Sequence, residues 1–295
     1  MSNETKLHDP VLLEECLRLI APKVGERYLD LTAGYGGHAS AFLSMTRSYE
    51  KSTLVDRDAF AISSLKGFAE QGTEIIHSSF RQATEKLVEK NQKFDIILID
   101  LGVSSPQLDF PDRGFSFSKS GPLDMRMDQS QPKSAFHIVN HARESELAEI
   151  FVQFGEEKKA RATKIARAII NSRPIQTTDQ LAALVAAQAR HKSRSRRHPA
   201  TRIFQAIRIA VNDEITEIQE TLPLIQKLLA SGGRFGVISF HSLEDKLVKD
   251  YLKSDADLGL ESQFHILTKK PIDGETYDVH NPRARSAKLR VAMKK

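Results

Sequence analysis

The chain has 295 residues, 40% of them hydrophobic and 27% charged, the proportions of an ordinary globular protein with a sizeable core. Lys and Arg outnumber Asp and Glu by 43 to 38, a net charge of +5 that matters through its placement more than its size. One cysteine, Cys16, excludes a disulfide framework and a cysteine-built zinc site, and there is neither a basic-then-apolar leader nor an apolar run of ~20 residues, so a soluble cytoplasmic protein with no membrane partner is expected.

In chain order, an apolar rhythm over Val11 to Ile20 predicts a helix closed by Pro22 and Gly25. Strands are then expected at 27–31, 51–55, 74–77 and 94–100, alternating with helices near 37–46, 58–70 and 80–91. Such alternation predicts a parallel sheet with helices on both faces. At Pro106 the rhythm stops, and 107–127, rich in Gly, Pro, Ser, Phe and Asp, reads as an ordered functional loop. Helical patterns follow at 134–154, 157–171, 177–190 and 199–220. Ser231-Gly232-Gly233 then turns into a buried strand over 234–240, and two final strands are expected at 263–268 and 287–293. The chain therefore reads as an α/β domain over 1–106 and 214–295, interrupted by a helical insert over 107–213.

The first βα turn carries the most chemistry. Leu29-Asp30-Leu31-Thr32-Ala33-Gly34-Tyr35-Gly36-Gly37-His38 is a strand that ends in an acid and breaks into glycines before a helix. Glycines there admit positive φ and let a ligand approach the backbone, and the helix start offers unpaired N–H donors. Gly34-x-Gly36-x-x-Ala39, with Asp56 about 20 residues on, also satisfies the dinucleotide fingerprint. Asp30, Asp56 and Asp100, each closing a predicted strand, favour a cationic nucleoside instead. A carboxylate near the glycines repels a diphosphate and attracts the amino group and sulfonium of S-adenosylmethionine. Such acids can also serve as helix N-caps, and a nicotinamide oxidoreductase stays open at this point.

Basic residues are clustered. Arg190-His191-Lys192-Ser193-Arg194-Ser195-Arg196-Arg197-His198 carries no acid, and Arg202 follows it. Lys158 to Arg167 gives a second basic face, and Arg283, Arg285, Lys288 and Arg290 a third. Strips of one sign suit phosphate neutralisation, so a nucleic-acid partner read by the insert is expected; a non-catalytic RNA-binding factor would share this feature.

Several blocks resemble one family. His38 after the double glycine, Asp100-Leu101-Gly102-Val103-Ser104-Ser105-Pro106-Gln107-Leu108-Asp109, Arg113-Gly114-Phe115-Ser116-Phe117 and Gly121-Pro122-Leu123-Asp124-Met125-Arg126-Met127-Asp128 are similar to the bacterial small-subunit ribosomal RNA cytosine-N4 methyltransferases. So are His198-Pro199-Ala200-Thr201-Arg202, Ile238-Ser239-Phe240-His241-Ser242-Leu243-Glu244-Asp245 and Asn281-Pro282-Arg283-Ala284-Arg285-Ser286. The resemblance runs through most of the chain, with Tyr35 standing where the family often has a smaller or basic residue. It implies a Rossmann-like class I S-adenosylmethionine-dependent methyltransferase sheet with an inserted all-helical domain, acting on N4 of a cytidine in the decoding centre of 16S ribosomal RNA. Gly36, Gly37, His38, Asp56, Phe80, Asp100 and Gln107 are the implied cofactor contacts. Asp100, Ser105 and Asp124 are the expected catalytic group, and Arg194, Arg196, Arg197 and Arg202 the expected RNA contacts. The partner it implies is the small ribosomal subunit. No metal is expected, and a homodimer is left open. The turn Ser104-Ser105-Pro106-Gln107 is similar to the amine-gripping turn of other amino methyltransferases, with Gln107 at its aromatic position. A ring to stack the base must then come from elsewhere, with Phe115 and Phe117 as candidates; His241 and Glu244, after another strand, are candidates for either a structural or a catalytic role.

Overall fold

The computed structural model describes residues 10–188 and 198–295. They divide into two compact units, one reaching Gly102 and resuming at Ile215, the other spanning Val103–Glu214.

The first unit is built on one sheet. Its strands are β1 (Tyr28–Asp30), β2 (Thr53–Asp56), β3 (Glu74–His77), β4 (Phe94–Asp100), β5 (Leu229–Ser239), β6 (Phe264–Ile266), β7 (Ile272–Asp273) and β8 (Lys288–Lys294). They lie in the order β3-β2-β1-β4-β5-β8-β6, with β7 beside β8. β1 to β5 are mutually parallel, whereas β8 runs antiparallel to β5, β6 and β7. The order reverses between β1 and β4, and ligands of open α/β sheets bind beyond the strand C-termini at such a reversal.

Side chains of β4 alternate between two cores. Ile97 and Ile99 join Leu87, Ile225 and Val248 on one face; Ile96 and Leu98 join Cys16, Phe42 and Leu65 on the other. Each of these four isoleucine and leucine side chains is at most 2% exposed, and full burial of one contributes about 1.5–3 kcal/mol. Burial on both faces is why this strand reads as a continuous apolar run. Arg234 ties helix Leu13–Ile20 to the sheet: its guanidinium donates to the Ile20 and Ala21 carbonyls at 2.8 and 2.9 Å and pairs with Glu26 at 2.7 Å. Those carbonyls end a helix and lack intrahelical partners, so the arginine satisfies them.

Several expected elements differ. The strand after Ser231-Gly232-Gly233 begins earlier: Leu229 already pairs with Phe94, Arg234 pairs with Ile96, and the residues between bulge out. The helix expected over 58–70 is two pieces, Ala59–Ser64 and Lys66–Ala69. A single helix over 134–154 is likewise split into Ala135–His141 and Glu144–Gln153, because Ala142 and Arg143 are extended. The pattern over 199–220 is cut by Asp213 in the left-handed region at φ 54°, giving Thr201–Asn212 and Glu214–Leu228. Helices Ser242–Ala256 and Gly274–Tyr277 and strand β7 carry no expectation from the sequence.

The second unit, among its described residues, is built of helices and of irregular backbone over 114–134, with an isolated bridge between Pro122 and Thr177 and no strand. Its core gathers Phe151, Ile165, Ile169, Val185 and Ile207 from successive helices. The segment expected as a loop over 107–127 contains the end of helix Ser105–Asp109 and a turn of 3₁₀ helix at Pro111–Arg113. Polar side chains pin it. Asn212 accepts from Met127 N and donates to Met125 O, both at 2.8 Å, and Arg113 donates to the Arg126 and Met127 carbonyls. A buried amide used in both directions fixes an otherwise irregular backbone.

Candidate active site

Three carboxylates stand at the C-terminal ends of adjacent strands. Asp30 pairs in register with Leu54 of β2 and Leu98 of β4, so Asp56 and Asp100 each lie two residues further along their own strands. Asp30 is 1% exposed; it accepts from the Tyr28 hydroxyl at 2.7 Å and from Thr32 N at 3.1 Å. Burial pushes it up to about 7, against both hydrogen bonds. Asp56 accepts from Gly34 N and Asp58 N, both at 2.8 Å, and burial raises it to about 6.

Asp100 is the least satisfied of the three. Its backbone N–H donates to Thr32 Oγ1 at 2.6 Å, and its Oδ2 lies 3.7 Å from His38 Nδ1. Oδ1 is buried and has no hydrogen-bond partner among the described residues. Burial raises this carboxyl well above the usual range, and the charges of Asp30 and Glu244 raise it further. A buried oxygen with no donor is costly unless something supplies one.

The glycine turn is also constrained by packing within the chain. Gly36 sits at φ 82°, and a Cβ on it would lie 2.6 Å from the Phe68 ring; a Cβ on Gly37 would lie 2.7 Å from Pro10. Both glycines are thus required by the chain's own packing. Gly34, at φ 53°, would bring a Cβ only into ordinary contact with the Thr32 carbonyl, 3.9 Å away, and its N–H donates to Asp56. His38 is buried, with Nε2 3.0 Å from the Val11 carbonyl. A carbonyl only accepts, so Nε2 carries the proton and Nδ1 is the atom turned to Asp100. Phe80 opens helix Phe80–Glu89 behind the N-cap Ser79 and packs, half-buried, on the adjoining core.

His241 and Glu244 form a capping box at the head of helix Ser242–Ala256. Glu244 N donates to His241 Nδ1 at 3.3 Å, and Glu244 Oε2 accepts from Phe240 N at 2.7 Å and His241 N at 3.2 Å. The pair starts this helix, and Glu244 adds negative charge near Asp100.

The other residues singled out in the sequence, the third basic cluster apart, lie in the second unit or outside the described residues. Ser105 is buried at the first position of helix Ser105–Asp109, and Gln107 reaches back to accept from Ser104 N at 3.1 Å, closing the turn on itself. Asp124 is held by Arg126 through a two-pronged pair, Nε–Oδ1 2.7 Å and Nη2–Oδ2 3.0 Å. Phe115 is buried, with the Arg113 guanidinium 5.8 Å from its ring centre, and Phe117 packs on Phe204 and His198 with centroids 4.8 Å away. Arg202 is exposed and donates to the Glu156 carbonyl at 3.4 Å; Arg194, Arg196 and Arg197 lie outside the described residues. The third basic cluster is partly internal to the first unit, since buried Arg290 and half-exposed Lys288 both pair with Asp245.

The donor set at the sheet edge fits one kind of group. A buried orphan oxygen and two further carboxyls raised by burial call for a cation with N–H or O–H donors, and they oppose a diphosphate. Together with the strand order, this defines a Rossmann-like S-adenosylmethionine-dependent methyltransferase. Residues 5–295 match the MraW methylase family. The chain is 44% identical to a ribosomal RNA small subunit methyltransferase H of Acidobacterium capsulatum, over 99% of this chain and 100% of that one. It is 44% identical to the protein of the same name from Synechocystis, over 97% of this chain and 93% of the relative. Among solved structures, an rRNA methylase from Streptococcus thermophilus aligns with 94% of this chain and 91% of its own, at 12% identity and a TM-score of 0.41. The chain belongs to the MraW methylase family, and S-adenosylmethionine is its methyl donor. Among the described residues, no helix is long and apolar enough to cross a membrane.

Proposed function

We propose that the chain methylates small-subunit ribosomal RNA, at N4 of a cytidine in the decoding centre. The observation that carries this reading is the buried Oδ1 of Asp100 at the end of β4, which has no hydrogen-bond partner among the described residues. Bound, S-adenosylmethionine supplies an electrophilic methyl group whose thioether leaves neutral. The difficulty therefore lies with the nucleophile. The exocyclic amine of cytosine shares its lone pair with the ring, and the protein must hold it in line while accepting from its N–H groups.

Positioning is the larger contribution, up to about 7–11 kcal/mol, against about 10²–10⁴ in rate from a base. Asp100 orients the donor through its free oxygen, with His38 behind its other oxygen. Asp30 and Asp56 hold the cationic and ribose portions. The Ser104-Ser105 turn, locked by Gln107, offers acceptors to the amine, and Asp124, already fixed by Arg126, offers its remaining lone pairs to the base. The second unit is the RNA reader, with Arg202 and the exposed lysines of helix Lys159–Asn171 on phosphates. The base must be unstacked to be reached.

The test is direct. The purified chain is incubated with methyl-tritiated S-adenosylmethionine and undermethylated small subunits, and the RNA is digested for nucleoside mass spectrometry. N4-methylcytidine bearing the label is the expected product. Label on another base, or none, would overturn the reading, and a Gly36→Asp variant that still performs the whole cellular role would favour a non-catalytic assembly factor.

A further inference from the structure

A flipped base needs a flat apolar partner, and base–aromatic stacking is the usual means. The two rings the sequence offers for this role are both spent inside the second unit: Phe115 is buried beside Arg113, and Phe117 packs on Phe204 and His198. Phe136 and Phe154 pack against the same core, and Phe151 and Phe204 are part of it. This unit has no Tyr or Trp. One phenylalanine remains. Phe110 is 58% exposed.

Its backbone is nonetheless fixed. Phe110 N donates to the Pro106 carbonyl at 3.0 Å, and Arg113 N donates back to the Phe110 carbonyl at 3.1 Å. It ends helix Ser105–Asp109 and starts the 3₁₀ turn Pro111–Arg113, with Pro111 restricting it to extended geometry at φ −89°, ψ 109°. Gly121 presses so closely on the Pro111 carbonyl that no Cβ fits there, and Gly114 does the same against Pro122. An exposed ring on a braced turn is pre-organised, so a partner orders little on binding it. The turn is also the one that begins at Ser104, and Leu108, 37% exposed, lies beside Phe110 in sequence.

We infer that Phe110 is the base-stacking residue of this methyltransferase, a ring on a rigid turn that positions the unstacked cytosine for the Ser104-Ser105 acceptors. The inference rests on the cytidine-methylating reading above. Phe110 makes no proton transfer and binds no donor; it acts by stacking alone.

The experiment compares wild type with F110A, F110L and F110Y on small subunits at saturating S-adenosylmethionine, measuring kcat and KM, donor affinity by calorimetry and thermal stability. F110A and F110L are expected to lose about 5- to 150-fold in kcat/KM, the range for one stacked base, while F110Y stays near wild type. Donor affinity and melting temperature are expected to hold in all three. F110L matching wild type would overturn the inference, because any apolar side chain would then suffice. So would F110A matching wild type. Should F110A fold poorly, the F110L against F110Y comparison decides alone. A wild-type chain that leaves cytidine unmodified sinks the parent reading and this one with it; a wild type that methylates cytidine alongside an unimpaired F110A sinks only the stacking.

Discussion

His38 Nδ1 lies 3.7 Å from Asp100 Oδ2 while its Nε2 donates to the Val11 carbonyl at 3.0 Å. One buried ring thus joins the segment ahead of helix Leu13–Ile20 to the end of β4. His38→Ala removes the donor to a carbonyl and leaves it buried and unpaired. The expected cost is about 1–3 kcal/mol of unfolding free energy, read by urea denaturation of the donor-free protein. Donor affinity is expected to fall as well, since Asp100 loses the group behind it. An unchanged denaturation midpoint would show that the ring is not holding the Val11 segment.

Asp100→Asn separates the needs of folding from those of binding. The carboxyl is raised by burial and then by the charges of Asp30 and Glu244, so ionising it opposes folding. A neutral amide of the same shape is therefore expected to make the donor-free protein more stable at high pH, while weakening the donor and abolishing methyl transfer. Opposite signs in the two measurements mark a strained functional group. Loss of stability at every pH would argue instead that Asp100 is a structural acceptor.

The pH dependence follows from Asp30, raised to about 7, and Asp56, raised to about 6, against ordinary values near 4. A raised folded pKa means that the folded state holds its proton more tightly than the unfolded chain. The associated stability is fully present below about pH 4 and is lost as pH climbs through about 6 and 7, on the order of several kcal/mol for the two groups together. A cationic ligand favours the ionised forms. Donor affinity is therefore expected to rise with pH over the same window, and binding near pH 6–7 to release protons. Calorimetry in buffers of differing ionisation enthalpy measures that release; binding without it would mean that neither carboxyl faces the positive charge.

How far the sequence reveals this arrangement depends on whether the cause is local. Acids closing Leu29-Asp30, Val55-Asp56 and Ile99-Asp100 are visible because an apolar run ends on each, and the sheet places them together. The support of Asp30 by the Tyr28 hydroxyl is invisible: alternate residues of a strand normally share a face without bonding, and only the burial of both makes the contact matter. The break between Ala135–His141 and Glu144–Gln153 is hidden because apolar residues continue in helical phase across Ala142 and Arg143. Asp213 hides in the same way, since nothing in its neighbours announces a left-handed residue. At the Gly-rich turn the sequence leads one to expect glycines that admit a ligand, and it does not show that Phe68 and Pro10, distant in sequence, also crowd a side chain at Gly36 and Gly37.

Gly36→Ala tests that distinction. The substitution places a Cβ against the Phe68 ring in a backbone conformation, φ 82°, that side chains rarely adopt. A loss of more than about 1 kcal/mol is expected in donor-free protein. Pairing it with Phe68→Ala should return part of that loss, the part due to contact rather than to φ. A Gly36→Ala protein of normal stability that binds the donor poorly would show that ligand approach, and not packing on Phe68, demands the glycine.

The basic clusters divide into two kinds, and salt dependence tells them apart. Lys159 and Lys164 are exposed and form no ion pair among the described residues, whereas Arg290 is buried and paired with Asp245 at 2.7 Å. A lysine on a phosphate releases counterions when RNA binds, so Lys159→Ala and Lys164→Ala should each weaken small-subunit binding and lower the slope of log affinity against log salt by about one. Their melting temperatures should not move. Arg290→Ala leaves the buried Asp245 carboxylate with only the half-exposed Lys288 as its cationic partner and is expected to cost about 1–3 kcal/mol of stability, with a salt slope like that of wild type once the folded fraction is allowed for. If the lysine variants leave the slope untouched, the RNA passes over another face of the second unit. A diminished slope for Arg290→Ala would mean that the first unit also grips the phosphate backbone.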